Sequence, residues 1–356
     1  MLNTHTMRIA FTLCSNNYLA QAKTLGDSLL AHNPNYKFVI GLVDKKVAEI
    51  DYDFFLPHQV VEAEAAGIPN FDDLCQRYDI IELNTAVKPF FFKYLFLKHP
   101  ELQGALYLDP DVMVFSSLEK IYAELDKHSL VLTPHVLSPI PLDGCEPPEN
   151  VFLTYGTYNL GFIGVANQPE GRRFLDWWGE RTFASGYNKT AAGMFVDQLW
   201  VNLAPVFFEK LKVSRDPGLN VAYWNLHERN VSRKNDAFFI NDKFPLVFYH
   251  FSSYRLADPT QLSRYQNRYG FESRPDIVEL FDTYRNSVIR NRYDYFSKLE
   301  CSYIRQKNEV ADQEERNTAA AGTPRETLRQ LKRVTPAFVR NMILSMIKRL
   351  ELLRDH

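Results

Sequence analysis

The chain has 356 residues, 46% hydrophobic, 24% charged and 14% aromatic, with a formal net charge of -2. That length bounds the protein at one sizeable α/β domain with a smaller appendage, and the near-neutral balance excludes a surface field that would gather nucleic acid. Its four cysteines, Cys14, Cys75, Cys145 and Cys301, form no C-x-x-C pair, which argues against a zinc knuckle or a disulfide framework and fits a reducing cytosol.

The opening MLNTHTMRIAFTLC has no basic segment followed by a long apolar core, and no stretch approaches an uninterrupted apolar span long enough for a membrane. The expectation is a cytoplasmic chain, on which the sequons at Asn188 and Asn230 are chance matches. Ile9 to Cys14 reads as a short apolar strand. It leads through Ser15-Asn16-Asn17-Tyr18 into a helical pattern with Leu19, Ala22, Leu25, Leu29 and Leu30 on one side. Asn33-Pro34 ends that helix, and Phe38 to Val43 supplies a second strand, so the first 43 residues read as a β-α-β unit of a parallel sheet. Ligands of such sheets bind beyond the carboxyl ends of the strands, which makes Ser15, Asn17 and Tyr18 candidate nucleotide contacts.

Asn84-Thr85 is expected to cap a helix through Lys88-Pro89-Phe90 toward Lys98, with the proline in its first turn. The apolar strand Ala105 to Leu108 follows, then Asp109-Pro110-Asp111 and Val112 to Phe115. The Pro-, Gly- and Asp-rich stretch from Pro134 to Asn150 reads as a long loop. Beyond it lie Tyr158 to Val165, an amphipathic helix around Arg172 to Arg181, Asp197 to Leu203, and apolar strands near Val221 to Trp224 and Leu246 to Phe251. From about Asp276 the chain reads as helical and highly charged, with Glu309 to Thr323 resembling a polar linker. The expected division is therefore 1–275 for the α/β domain and 276–356 for a charged helical extension.

Two carboxylates at i and i+2 on extended backbone point the same way, and Asp109 and Asp111 in that arrangement suit a hard divalent cation. Such an ion takes carboxylate oxygens on one side and phosphate oxygens on the other. Asp-x-Asp alone recurs by chance as a turn or strand-end pair. What singles this one out is its setting between two apolar strands. The same spacing fits the D-x-D-x-[TV] of a haloacid-dehalogenase-type phosphatase, but that motif follows the first strand of its fold, whereas here about a hundred residues precede it.

Six blocks in order, IAFTLCSNNYL, TAVKPFFFKYLF, YLDPDVMVF, YNLGFIGV, DQLWVN and FYHFSSY, resemble the family 8 type of GT-A glycosyltransferase, the group of glycogenin and the bacterial lipopolysaccharide galactosyl- and glucosyltransferases. The likeness covers roughly Arg8 to Tyr254. It implies a GT-A Rossmann-like domain with a mixed, mostly parallel sheet. It also implies Mn²⁺ or Mg²⁺ held by Asp109, Asp111 and His250, one nitrogen with two carboxylates favouring Mn²⁺ over Ca²⁺. Lys88 would contact the donor or orient Asp109. Asn159 would face the donor sugar, with Gly161 letting backbone approach it. Asp197 would accept from sugar hydroxyls, and Gln198 would lie beside the anomeric carbon.

Family members usually follow the metal histidine with Gly and then Lys-Pro-Trp. Here Ser252-Ser253-Tyr254-Arg255 follows, so the diphosphate contact falls to Arg255 or another cation. Gln198 is a poor nucleophile and no glycosidase-like carboxylate pair is evident, so the expected route is front-face retention with the leaving phosphate as base.

The tail from Thr323 to His356 carries eight Lys/Arg against three Asp/Glu and sets Val339, Met342, Ile343, Met346, Ile347, Leu350 and Leu353 along one helical face, a basic amphipathic pattern suited to an anionic membrane surface. The resulting expectation is a hexosyltransferase acting from a nucleotide sugar, UDP-hexose by resemblance, on a glycan or glycolipid of bacterial lipopolysaccharide or capsule. It would work in the cytoplasm and peripherally at the inner face of the membrane. A phosphatase and a non-catalytic nucleotide-sugar-binding module are the alternatives.

Overall fold

A computed structural model describes residues 7–309. The chain packs as two units, Met1–Ile304 and Arg305–His356. Of the second, residues 305–309 are described, and they are helical. The basic amphipathic helix expected over 323–356 lies outside the described residues.

Strand β1 (Arg8–Cys14) runs through a 3-10 turn at Asn16–Tyr18 into helix α1 (Leu19–His32) and returns as β2 (Tyr36–Leu42), parallel to β1. Strand β3 (Gln59–Glu62) extends the parallel set. The helix expected to start at Asn84-Thr85 is instead two helices, α2 (Ile80–Ala86) and α3 (Lys88–Lys98), and Pro89 does sit in the first turn of α3. The cap belongs to Asp79, whose carboxylate accepts from the Glu82 amide while Glu82 accepts from the Asp79 amide. Asn84 and Thr85 lie inside α2 and bond back to the carbonyls of Ile80 and Ile81.

The chain continues as β4 (Gly104–Leu108), β5 (Val112–Val114), β6 (Leu130–Pro134), β7 (Tyr158–Ala166), α4 (Pro169–Ser185), β8 (Leu211–Val213), β9 (Phe248–His250), α5 (Val278–Arg290) and α6 (Tyr293–Phe296). The main sheet has seven strands in the order β8-β6-β7-β4-β1-β2-β3. Strand β7 runs antiparallel to β4 and β6, and the other pairings are parallel. This is the mixed, mostly parallel α/β sheet expected from the sequence.

Both faces of the sheet are buried, which is why its central strands read as continuous apolar runs. On β4, Ala105 and Tyr107 join the core that holds Phe91, Phe92, Phe174 and Trp178. Leu106 and Leu108 join the opposite core with Leu25 and Leu29 of α1 and Leu280, Phe281 and Tyr284 of α5. Each such large side chain contributes about 1.5–3 kcal/mol relative to exposure. The compact unit therefore passes the division drawn at residue 275. Tyr284 stacks on Phe251 at 3.9 Å, and α5 and α6 complete the α1 side of the core.

Val221 to Trp224 does not form the expected strand. Val221 makes a single bridge to Tyr249, and Tyr223–Asn225 closes into a 3-10 turn. Asn220 sits at a left-handed φ of 52°, and the Asn225 side chain accepts the Ala222 amide, local bonds that compete with a ladder. Residues 135–150 form the expected loop, held by Glu228 at Leu137 and Ser138 and by Arg268 at Asp143 and Pro147.

Candidate functional site

Strands β1 and β4 are neighbours, so their carboxyl ends bring Ser15 and Asp109 to the same edge of the sheet. Asp109-Pro110-Asp111 was expected to be extended. The structure makes it a turn, with the Val112 amide donating to the Asp109 carbonyl at 3.1 Å. Proline presets the φ of a turn position, and the chain leaves the main sheet there. Strand β5 then pairs antiparallel with β9 in a separate ribbon, setting Val112 opposite His250. The turn is anchored at both ends. The Asp109 amide donates to Gly161 O at 2.9 Å, and the Phe251 amide donates to Asp111 O at 2.9 Å.

This geometry converges three side chains distant in sequence. Ligand atoms of Asp109, Asp111 and His250 all lie within 4.8 Å of one another. His250 Nε2 is 3.0 Å from Asp111 Oδ1 and 3.7 Å from Asp109 Oδ2. Burial pushes the imidazole down, but Asp111 and Asp109 outweigh it and the net shift is upward. Two half-exposed carboxylates and one buried imidazole aimed at a common point match the hard-oxygen-plus-nitrogen donor set of a divalent cation. Gly161 makes room for this. A Cβ there would lie 2.6 Å from His250 Nδ1 and 2.7 Å from Asn159 Oδ1.

A second group lies behind the first. Lys88, at the start of α3, is buried with its Nζ 2.7 Å from Asp197 Oδ2, each side chain 2% exposed. It also donates to Leu160 O at 3.0 Å. Burial raises the Asp197 carboxyl and the Lys88 ammonium opposes that, with the balance upward. Gln198 is engaged at both ends of its amide. Its Oε1 accepts Leu160 N at 2.9 Å, and its Nε2 donates to Tyr155 O at 2.8 Å. Asn159 Oδ1 accepts from Gly161 N and from Asn220 Nδ2, while Asn159 Nδ2 meets His135 Nε2 at 3.2 Å. His135 is pushed down to about 4 by burial, so it stays neutral and can accept there.

Among the candidate nucleotide contacts, Ser15 donates to Asn17 Oδ1 at 2.8 Å and is buried, and Tyr18 is 43% exposed. Crowding around the Tyr18 hydroxyl, then Asp111, raises its phenol to about 12, and Arg264 works against that rise. Arg264, whose guanidinium donates to the Tyr265 hydroxyl, is thus within electrostatic reach of Tyr18. Arg255 is exposed just after the turn in which Ser253 takes a left-handed φ of 57°.

Sequence reasoning missed Tyr107, whose hydroxyl donates to Asp109 Oδ1 at 2.6 Å, and the neutral support group His135, Asn220 and Trp224. Trp224 stands edge-on to His250 at 5.3 Å. Strand alternation carried a signal for Tyr107, two residues before Asp109 on β4. None existed for Asn220, Trp224 or Arg264, whose relevance depends on long-range packing.

An α/β protein with an Asp–Asp–His cluster at the carboxyl edge of its sheet is thus defined by fold and geometry. No family model matches the chain. It is 26% identical over 202 residues to the uncharacterized protein YfnF of Bacillus subtilis (strain 168), covering 57% of this chain and 65% of YfnF, just under two thirds of that relative. It is 26% identical over 261 residues to the uncharacterized protein YfnD of the same organism, covering 69% of this chain and 77% of YfnD. Among solved structures it is similar to the galactosyltransferase LgtC in complex with donor and acceptor sugar analogs, at 17% identity and a TM-score of 0.43, over 84% of this chain and 99% of that one. It is also similar to the glycosyltransferase GlyE of Streptococcus pneumoniae TIGR4, at 15% identity and a TM-score of 0.45, over 83% of this chain and 66% of that one. No helix among the described residues is long and apolar enough to cross a membrane.

Proposed function

We propose that the protein is a divalent-metal-dependent GT-A glycosyltransferase that moves a hexose from a nucleotide sugar, UDP-hexose in the first instance, to a glycan or glycolipid acceptor of bacterial surface polysaccharide. The observation that carries this reading is the convergence of Asp109, Asp111 and His250 beside the end of β1. A bound Mn²⁺ or Mg²⁺ would supply neutralisation of the departing diphosphate.

The chain's own residues divide the remaining work. Ser15, Asn17 and Tyr18 border the space for the nucleotide at the end of β1. Asp197, oriented by Lys88, accepts from donor-sugar hydroxyls. Asn159 and Gln198 hold the backbone at Leu160 and Gly161 so that it can approach the sugar. The diphosphate contact falls to Arg255 or to Arg264, which acts electrostatically on Tyr18. With both ends of the Gln198 amide bonded to backbone, the reading favours front-face retention over a covalent Gln198 intermediate. On this reading the tail from 323 to 356 carries the protein to the inner face of the membrane.

The test is donor turnover. Mn²⁺-stimulated release of UDP from a panel of UDP-hexoses is expected, with Asp111→Asn lowering it at least a hundred-fold through lost metal binding. Turnover of simple phosphate esters without release from any nucleotide sugar would instead favour the phosphatase. Nucleotide-sugar binding without turnover across many acceptors would leave a binding module. An inverted product linkage would remove the front-face route alone.

A further inference from the structure

Tyr107 has no assigned part in the reading above, yet it touches both halves of the site. Tyr107 is 3% exposed, and its ring packs against Phe11 with centroids 5.2 Å apart. The Lys88 ammonium stands 4.2 Å from the ring centroid, within cation–π range. Its hydroxyl donates to Asp109 Oδ1 at 2.6 Å, in the range of a charge-assisted O–H···O⁻ bond. The other Asp109 oxygen, Oδ2, faces His250 Nε2 at 3.7 Å. One carboxylate is therefore divided between a fixed protein donor and the point shared with Asp111 and His250. Exposed carboxylates ordinarily rotate, and this one is held.

We infer that Tyr107 is a positioning residue for the metal centre. By taking Oδ1, it turns Oδ2 toward the space between Asp111 and His250, so Asp109 presents a single oriented oxygen to a divalent cation. Its ring also backs the Lys88 ammonium that pairs with Asp197, so the metal half and the sugar half of the site share one rigid side chain. The inference rests on the metal-dependent reading above. It adds that an outer-sphere phenol from β4 sets the affinity, in the way that groups bonded to ligating carboxylates tune metal sites.

Direct Mn²⁺ binding to the full chain without donor, followed by the paramagnetic signal of free Mn²⁺, tests the inference independently of turnover. Tyr107→Phe is expected to weaken Mn²⁺ binding about ten-fold or more. 4-Fluorophenylalanine at position 107 fills the hydroxyl's volume without donating and is expected to match Phe, which keeps the test open should Tyr107→Phe fold poorly. 4-Aminophenylalanine restores a donor and is expected to recover most of the affinity. Tyr78→Phe is the control. Tyr78 is fully buried and donates to Thr182 O at 2.7 Å, so its loss should lower thermal stability and leave Mn²⁺ binding as in the wild type. Wild-type affinity in both the Phe and the fluoro variant would overturn the role of Tyr107 while leaving the metal site intact. Absence of Mn²⁺ binding in the wild type would overturn the metal-dependent reading itself.

Discussion

The two halves of the site handle charge in opposite ways. In the half proposed to hold a metal, the Asp109 and Asp111 side chains are 31% and 24% exposed, and two carboxylates face one imidazole. In the half proposed to face the sugar, Lys88 and Asp197 are each 2% exposed and neutralise one another at 2.7 Å. The first arrangement is left negative and open to solvent. The second is balanced and buried, as suits a charge pair that holds its place within the fold. The difference teaches where charge is balanced within the fold and where it is left unbalanced at the surface.

The largest expected effect strikes the buried half. Lys88→Met leaves the Asp197 carboxylate buried without a counter-charge and is expected to cost about 3–5 kcal/mol in denaturant unfolding, whereas the double variant Lys88→Met/Asp197→Leu regains most of it. A loss under about 1 kcal/mol for the single variant would break the contrast, because it would mean that water reaches the pair.

A smaller effect comes from His135, which supports Asn159 behind the same half. Its folded value of about 4 lies below the usual 6.5, so the neutral form is the one the fold holds. The stability it contributes is complete above pH 6.5 and is lost as pH falls toward 4, by about 3 kcal/mol over that window. His135→Gln should flatten the pH dependence of chemical unfolding there, and an unchanged slope would assign the acid sensitivity elsewhere.

The smallest sharpens the boundary between the halves. Gly161→Ala sets a methyl group against His250 Nδ1 and Asn159 Oδ1, an overpacking of about 1–3 kcal/mol. Mn²⁺ affinity should fall with it, measured by the same free-ion signal. Full affinity with normal stability would show that the strand yields without moving the histidine.

Much of this was legible in the chain. Apolar runs bounded by turn residues placed β1, β2 and β4, and the aspartates after β4 stood out because charge interrupts a ridge of buried residues. The cap of the helix before them was misplaced because Asp79 and Glu82 form the capping box, while Asn84 and Thr85 are good caps only where their side chains are not back-bonding within a helix. Val221 to Trp224 looked like a strand because apolar content does not reveal that Asn220 and Asn225 bond locally.

By itself, the sequence determined the α/β class, the parallel unit at the start and the identity of the acidic pair, since these depend on local periodicity and on residues adjacent in the chain. Tertiary structure decided that His250 reaches Asp111 across the β5–β9 ribbon, that Lys88 pairs with Asp197 over a hundred residues away, and that Tyr107 holds Asp109. Those facts depend on strand order and on which face each side chain takes. Burial then turns the contacts it creates into shifted charge and fixed geometry.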